Sequence, residues 1–431
     1  MTTDLAILAL LLAGYALIAA RLDRLSVGPA LAFVVIGILL SENAFGHISL
    51  KPEAEPVRIL AEATLTLLLF ADASTIRVRA LERDAGPVAR LLVVGLLLTV
   101  ALGTIGALLL FPGISLGVAL LIGAALAPTD AALGQPVVTN RAVPARIRRL
   151  LNAESGLNDG IATPFVILAL ALATAEGTGL SDWLVEAATE LGLGVAVGVG
   201  VGLVGGLLLR VADERRGTST VSRQLFVLAL AAACYLLAVI VGGNGFIAAF
   251  MGGIAFGRGG RQHEEGAVRF TEMQGSLLAI GVWVAFGLTL AGNLLTQLWD
   301  PAAIAYAILS LTVIRMLPVA IALAGERFQP LSILFMGWFG PRGLASIVFL
   351  VIGLEGLRGG GVDPTPLAKA VAWTVLLSVI LHGLTAGPFA ARYGRRMASM
   401  SPDAPELQGA AEPSPSRTWA GQHRPTGTGL G

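Results

Sequence analysis

The sequence predicts an all-α polytopic membrane protein. It should hold about 13 transmembrane helices in two inverted six-helix repeats, with helices 5 and 12 broken in mid-membrane. Three observations carry this. The chain of 431 residues is 55% hydrophobic and 13% charged, with mean hydropathy +0.80, whereas soluble domains carry about 25% charged residues. Apolar runs of about 20 residues, long enough to cross a bilayer as helices, recur along its length. Two of these runs carry glycine and proline clusters near their centres and lie an odd number of spans apart, which inverts one relative to the other.

In chain order the candidate spans are 4–20, 27–42, 57–76, 89–111, 115–138, 148–174, 183–210, 223–243, 245–257, 274–298, 301–325, 330–354 and 367–391. The first follows Met-Thr-Thr-Asp with no basic stretch, so residues 5–20 read as a retained span and not a cleaved signal. The ninth is short, and its Gly252, Gly253 and Gly257 read as close packing of small residues. Arginines set the orientation. Arg21 and Arg24 follow the first span, Arg77, Arg79 and Arg83 the third, and Arg141, Arg146, Arg148 and Arg149 the fifth. Arg215, Arg216 and Arg223 follow the seventh, Arg258, Arg261 and Arg269 the ninth, Arg327 the eleventh, and Arg392, Arg395 and Arg396 the last. The alternate loops hold mainly Lys51, Arg358 and Lys369. Odd-numbered spans therefore exit to the cytoplasm, which places the N-terminus outside and the C-terminus inside. Residues 1–396 form the transmembrane domain. Residues 397–431, rich in Pro, Gly, Ser and Ala without periodicity, read as a disordered cytoplasmic tail.

Composition also excludes function classes. A net charge of +1 implies no nucleic acid or other bulk charged partner. One cysteine, Cys234, excludes an intramolecular disulfide. His47, His263, His382 and His423 form no metal-ligand spacing, and no cofactor is implied.

The fifth span contains Ala127-Pro128-Thr129-Asp130-Ala131, then Gly134 and Pro136; the twelfth contains Gly337-Trp338-Phe339-Gly340-Pro341-Arg342-Gly343. Proline removes a backbone donor, so both helices should break there. Spans 1–6 and 8–13 then form inverted repeats, with span 7 as connector. Paired interrupted helices in inverted halves point to a transporter site.

The sixth span opens with Asn152-Ala153-Glu154-Ser155-Gly156-Leu157-Asn158-Asp159-Gly160. An ionised acid is costly in a membrane, which makes these residues candidates for function. Ser155 and Asp159 are four apart and share a helix face, whereas Glu154 points roughly 140° from Asp159 and needs its own partner. Carbonyls freed at the fifth-span break, beside Thr129 and Asp130, join Asp159 in an oxygen-rich site suited to a small hard cation. Asp72, near the end of span 3, reads as a further ligand or as an acid at the cytoplasmic mouth. Glu62, ahead of Asp72 in span 3, reads as an ordinary helix charge more than as a periplasmic-funnel acid. Arg315 and Arg342, both inside spans, need carboxylates or carbonyls. Glu154 is the first choice of partner for Arg315; Arg342 faces either helix-end carbonyls or Asp130.

The Thr-Asp of Thr129 and Asp130 in a broken span, the Glu-Ser-x-x-Asn-Asp run of Glu154 to Asp159, the intramembrane Arg315 and the Gly-x-Arg-Gly of Gly340 to Gly343 resemble the NhaP-type sodium/proton antiporters of the monovalent cation:proton antiporter-1 family. The chain departs from many relatives at Ala131, where they have proline, and in the register of Asp72. The resemblance implies a secondary antiporter exchanging Na⁺ or Li⁺, or K⁺, for H⁺. Asp159 is then the ion- and proton-binding carboxylate and Asn158 its structural neighbour, with Thr129, Asp130 and Ser155 completing the cation site. It also implies a homodimer in a bacterial inner membrane. A moving core of spans 3–6 and 10–13 is expected to work against a dimer scaffold of spans 1–2 and 7–9. Three other classes compete. An organic-anion symporter would share a similar fold. An intramembrane aspartyl protease would pair Asp130 with Asp159 but gives no reason for the intramembrane arginines. An ion channel lacks a filter-like run here.

Overall fold

The computed structural model describes residues 2–24, 27–44, 54–75, 84–174, 180–215, 217–258, 265–294, 296–401 and 404–407. Lys51, Arg77, Arg79, Arg83, Arg216 and Arg261 of the orientation argument, and the tail 408–431, lie outside the described residues. The described elements are helices: α1 (Thr2–Arg24), α2 (Pro29–Leu40), α3 (Glu55–Ser74), α4 (Ala85–Leu110), α5a (Leu116–Ala125), α5b (Ala131–Val138), α6 (Ala145–Thr174), α7 (Leu180–Glu214) and α8 (Thr220–Ile240). They continue as α9 (Gly245–Gly257), α10 (Glu265–Thr289), α11 (Pro301–Ala322), α12a (Pro330–Trp338), α12b (Leu344–Gly359) and α13 (Thr365–Met397). Among them α4, α6, α7, α8, α10, α11 and α13 each hold a segment long and apolar enough to cross a bilayer.

Local chemistry fixes the helix ends. Ser115, Ser219, Asn244 and Asp300 each accept a backbone N–H of the first turn that follows. Proline stands in the first turn of α2, α3, α11, α12a and α13, where its missing N–H costs no bond. α10 starts at Glu265, ahead of the apolar run at 274, because its charged first turns continue the helix beyond the apolar segment. Two irregularities carry no sequence signal of the Gly-Pro kind. A π-helical stretch, Leu91–Gly95, interrupts α4. Thr312, at φ −114° and ψ −94°, interrupts α11 three residues before Arg315.

A large apolar cluster runs through α2, α3, α5a, α6, α10, α12b and α13 by way of Phe33, Leu65, Ile122, Val166, Phe286, Phe349 and Val375, and smaller clusters flank it. One apolar cluster joins α4, α5b, α6, α11, α12a and α13 through residues such as Val88, Val137, Ile147, Val319, Phe335 and Tyr393. Another joins α3, α7, α8, α9 and α10 through Phe70, Leu209, Val227, Cys234, Phe256 and Val268. α2 and α3 pack on α10, and α3 packs also on α9. α3 packs also on α6 and α12b, and α10 on α12b. α7 and α9 approach backbone to backbone, since a Cβ on Gly198 or Gly202 would overlap Ala248 or Gly252. Exposed Leu203, Val204, Leu207 and Leu208 on α7 form a lipid-facing surface.

Order also extends past residue 397. The chain folds back as a single turn (Pro405–Leu407) whose Glu406 is fully buried. Glu406 Oε1 accepts from Ser332 Oγ at 2.8 Å and from the Gln329 backbone N–H at 2.7 Å, which caps α12a. Arg146 donates to the Pro405 carbonyl at 2.9 Å and, with Arg149, pairs with Asp84. These polar partners, and not hydrophobicity, hold a segment whose composition reads as tail.

Candidate functional site

The site forms where the two broken helices meet. α5a ends at Ala125 and α5b begins at Ala131; α12a ends at Trp338 and α12b begins at Leu344. Each break leaves helix-end carbonyls and N–H groups that need partners in a place without bulk water. The Arg342 guanidinium donates to the carbonyls of Ala127 at 2.6 Å and Pro128 at 3.1 Å, the loose end of α5a. Asp130 Oδ1 accepts from the N–H groups of Ala132 and Leu133, and Oδ2 from Leu344 N at 2.7 Å, so one carboxylate caps both α5b and α12b. The Asp130 N–H donates to the Pro341 carbonyl at 2.8 Å. Of the two roles open to Arg342 in the sequence, the geometry has it on the helix-end carbonyls.

Glycines make this crossing possible. A Cβ at Gly343 would overlap the Asp130 carboxylate, and one at Gly340 would overlap the Arg315 guanidinium. The Gly-x-Arg-Gly spacing is thus set by two close approaches that flank Arg342. Arg315 forms a two-pronged ion pair with Glu154, Nη1 to Oε1 and Nη2 to Oε2, the latter at 2.8 Å. Both side chains are only 4% exposed.

On α6, Ser155 Oγ lies 2.9 Å from Thr129 Oγ1, and Asn158 Nδ2 donates to Thr129 Oγ1 at 2.7 Å. Among the described residues no donor meets the buried Asn158 Oδ1. Asp159 follows on the same helix one turn after Ser155 and is half-buried. Thr163 Oγ donates to its carbonyl at 2.9 Å. Gly160 presses on the Phe250 ring of α9, since a Cβ there would overlap the ring. Asp72 Cβ is the nearest heavy atom, at 4.0 Å, to a Cβ built on Gly156, so Asp72 faces α6 on the N-terminal side of Asp159. The arrangement offers a small oxygen cluster, made of hydroxyls and one amide carbonyl, beside one titratable carboxylate.

The structure therefore brings Thr129, Ser155 and Asn158 into direct contact, places Asp159 next to them, and joins Glu154 to Arg315. Both oxygens of Asp130 accept backbone N–H groups, which gives it a helix-capping place at the crossing. Glu62 pairs with Arg58 at 2.8 Å on α3. Two residues given no role at the breaks by the sequence reading, Ser378 and His382, join the crossing from α13. Ser378 Oγ accepts from the Arg342 N–H at 2.7 Å, and His382 Nε2 donates to the Trp338 carbonyl at 2.8 Å. Their signal was a histidine and a serine four apart inside an apolar span; histidines weighed only as metal ligands do not reveal it.

The fold and this crossing define an integral membrane protein of the broken-helix transporter class. The chain belongs to the transmembrane sodium/hydrogen exchanger family, whose model matches residues 7–392. The Na(+)/H(+) antiporter of Saccharomyces cerevisiae is 30% identical over 277 residues, 60% of this chain and 28% of that protein. The K(+)/H(+) antiporter NhaP2 of Shewanella oneidensis is 25% identical over 380 residues, 87% of this chain and 64% of that protein. The chain thus spans less than two thirds of the length of these curated relatives. In fold it is similar to the sodium proton antiporter MjNhaP1 from Methanocaldococcus jannaschii at pH 8, with a TM-score of 0.75 at 20% identity over 93% of this chain and 99% of that one.

Proposed function

We propose that the protein is a secondary antiporter that exchanges a monovalent cation, Na⁺, Li⁺ or K⁺, for H⁺. The observation that carries this is the oxygen cluster of Thr129, Ser155 and Asn158 at the α5 break, set beside the titratable Asp159. A small cation and a proton compete for one carboxylate, and the competition couples the two fluxes when the empty charged site does not cross. Asp159 and Ser155 hold the ion with Thr129 and the Asn158 carbonyl oxygen. Asp72 is an acid on the path to the site. Asp130 and Arg342 act structurally by neutralising the helix ends, and Glu154 with Arg315 ties α6 to α11. α3–α6 and α10–α13 move as a core against α1–α2 and α7–α9. Thirteen spans in two inverted repeats, N-terminus outside and C-terminus in the cytoplasm, a homodimer and a bacterial inner membrane complete the reading.

The test is proton flux in proteoliposomes with Li⁺, Na⁺ and K⁺ added in turn. Wild-type protein should respond to at least one of them with saturation. Asp159→Asn keeps the shape and removes the titrating group, so its exchange should vanish although the protein folds. Normal exchange by a folded Asp159→Asn protein would sink the assignment.

A further inference from the structure

At the α12 break the Trp338 carbonyl, at the end of α12a, takes one backbone bond, from the Gly340 N–H at 2.9 Å, and the Arg342 N–H, ahead of α12b, meets a side-chain acceptor. One pair of side chains on α13 bonds to both groups. Ser378 Oγ accepts the Arg342 N–H at 2.7 Å, and His382 Nε2 lies 2.8 Å from the Trp338 carbonyl. A carbonyl only accepts, so Nε2 carries a proton. His382 Nδ1 lies 2.9 Å from the Ser378 carbonyl and 3.2 Å from Ser378 Oγ, which fixes the ring against its own helix. The break is thus bonded at two points: the Arg342 N–H donates to Ser378 Oγ, and His382 Nε2–H donates to the Trp338 carbonyl. Ser378 and His382 are 0% and 1% exposed, so water does not replace these bonds. The Trp338 indole lies over the imidazole, with ring centroids 5.1 Å apart, and donates to Thr385 Oγ1 at 3.0 Å. The i, i+4 serine and histidine on α13 stand to the α12 break as Ser155 and Asp159 on α6 stand to the α5 break.

We propose that Ser378 and His382 are positioning residues: a fixed brace on the α12 break that holds Arg342 and Gly343 where the ion site on the α5 break needs them. The proposal rests on the antiporter reading and adds to it the residues that set the second crossing. Where α6 presents a carboxylate, α13 presents a buried pair bonded at both ends that locks its break.

The experiment measures turnover and the cation KM of the full chain in proteoliposomes, with thermal stability in detergent alongside. His382→Gln keeps one donor and one acceptor and should hold turnover within about twofold of wild type. His382→Leu removes both and should lower turnover about tenfold to a hundredfold, since a small misplacement at a reacting site costs that much. The cation KM should change little, because Asp159 and its neighbours are untouched. Ser378→Ala should also slow turnover, and the double variant Ser378→Ala/His382→Leu should be no slower than the slower single one. Wild-type turnover in His382→Leu overturns the proposal, as does a folded His382→Gln protein as slow as His382→Leu. If His382→Leu does not fold, Ser378→Ala decides, and wild-type turnover there overturns the brace. Asp159→Asn runs in parallel. Its normal exchange would sink the ion-site reading alone, whereas an inactive Asp159→Asn beside unaffected brace variants would sink the brace alone.

Discussion

Removing one partner of the Glu154–Arg315 pair should destabilise the protein more than removing both. The two side chains are 4% exposed and joined by two parallel bonds between guanidinium and carboxylate. Glu154→Gln leaves the Arg315 charge buried without its counter-charge, and Arg315→Ala does the same to Glu154. Loss of one partner of such a pair costs about 3–5 kcal/mol. That is a factor of roughly a hundred to a few thousand in the folded-to-unfolded ratio. Glu154→Gln together with Arg315→Gln buries no net charge, and replacing both members of a buried pair is often close to neutral. The assay is the midpoint of thermal unfolding in detergent, followed by size-exclusion chromatography of heated samples. The two single variants should melt well below wild type, with the double variant above either single one. Unchanged stability in both single variants, or a double variant as unstable as the sum of the two, would refute the argument that the pair holds α6 to α11 through charge compensation.

Deleting residues 404–431 should lower the melting midpoint, because Glu406 then leaves the Gln329 N–H and Ser332 Oγ without their acceptor; deleting 408–431 should not, and equal effects of the two truncations would refute the clasp. Burial pushes the Asp300 carboxyl up, but the Lys369 hydrogen bond and the Ala302 N–H outweigh it and hold its pKa below the ordinary value. A depressed folded pKa stabilises above the unfolded pKa and is lost as pH falls through the folded one. The stability gap between wild type and Asp300→Asn should therefore be present at pH 7 and close in acid, and a gap that stays constant to acid pH argues against the link. Cysteines placed in 141–149 or 217–219, with Cys234 removed, should label only from the cytoplasmic side, and a reversed pattern would discard the arginine argument. Asn158 does not titrate and arginine stays charged, so one carboxylate carries either one proton or one cation and exchange should be electroneutral. The ion gradient that balances the proton gradient should then be independent of membrane potential, and a voltage-dependent balance point would reveal a second titrating group.

Much of the fold was legible because it follows from hydrocarbon thickness. Runs such as 223–243 and 301–325 mark helices by length and composition alone, and the Pro-containing clusters around Thr129 and Pro341 mark the breaks. The grouping of the helices was less legible. Spans 3 and 10 look like core spans, yet their partners are fixed by which small residues allow close approach, such as Gly253 and Gly257 of α9 against the α3 backbone at Phe70 and Ser74. Periodicity within a span does not carry that information. Glu154 and Arg315 were legible as a pair because a buried charge demands an opposite one.

The role of Asp130 shows where sequence reasoning about acids stops. Asp130 and Asp159 are the same acid, each falls within an apolar run, and both lie beside oxygen-bearing neighbours. What separates them is backbone: Asp130 stands at the start of α5b and faces the start of α12b, so three N–H groups claim its two oxygens. Asp159 lies inside a continuous helix whose N–H groups are already bonded within it, which leaves its carboxylate for other partners. The same logic assigns Arg342 to helix-end carbonyls and Arg315 to a carboxylate. In a membrane interior every broken helix end consumes polar side chains. On the proposed reading the exchanging ion is therefore held by the acid inside the continuous α6, Asp159, and not by the acid at the α5 break.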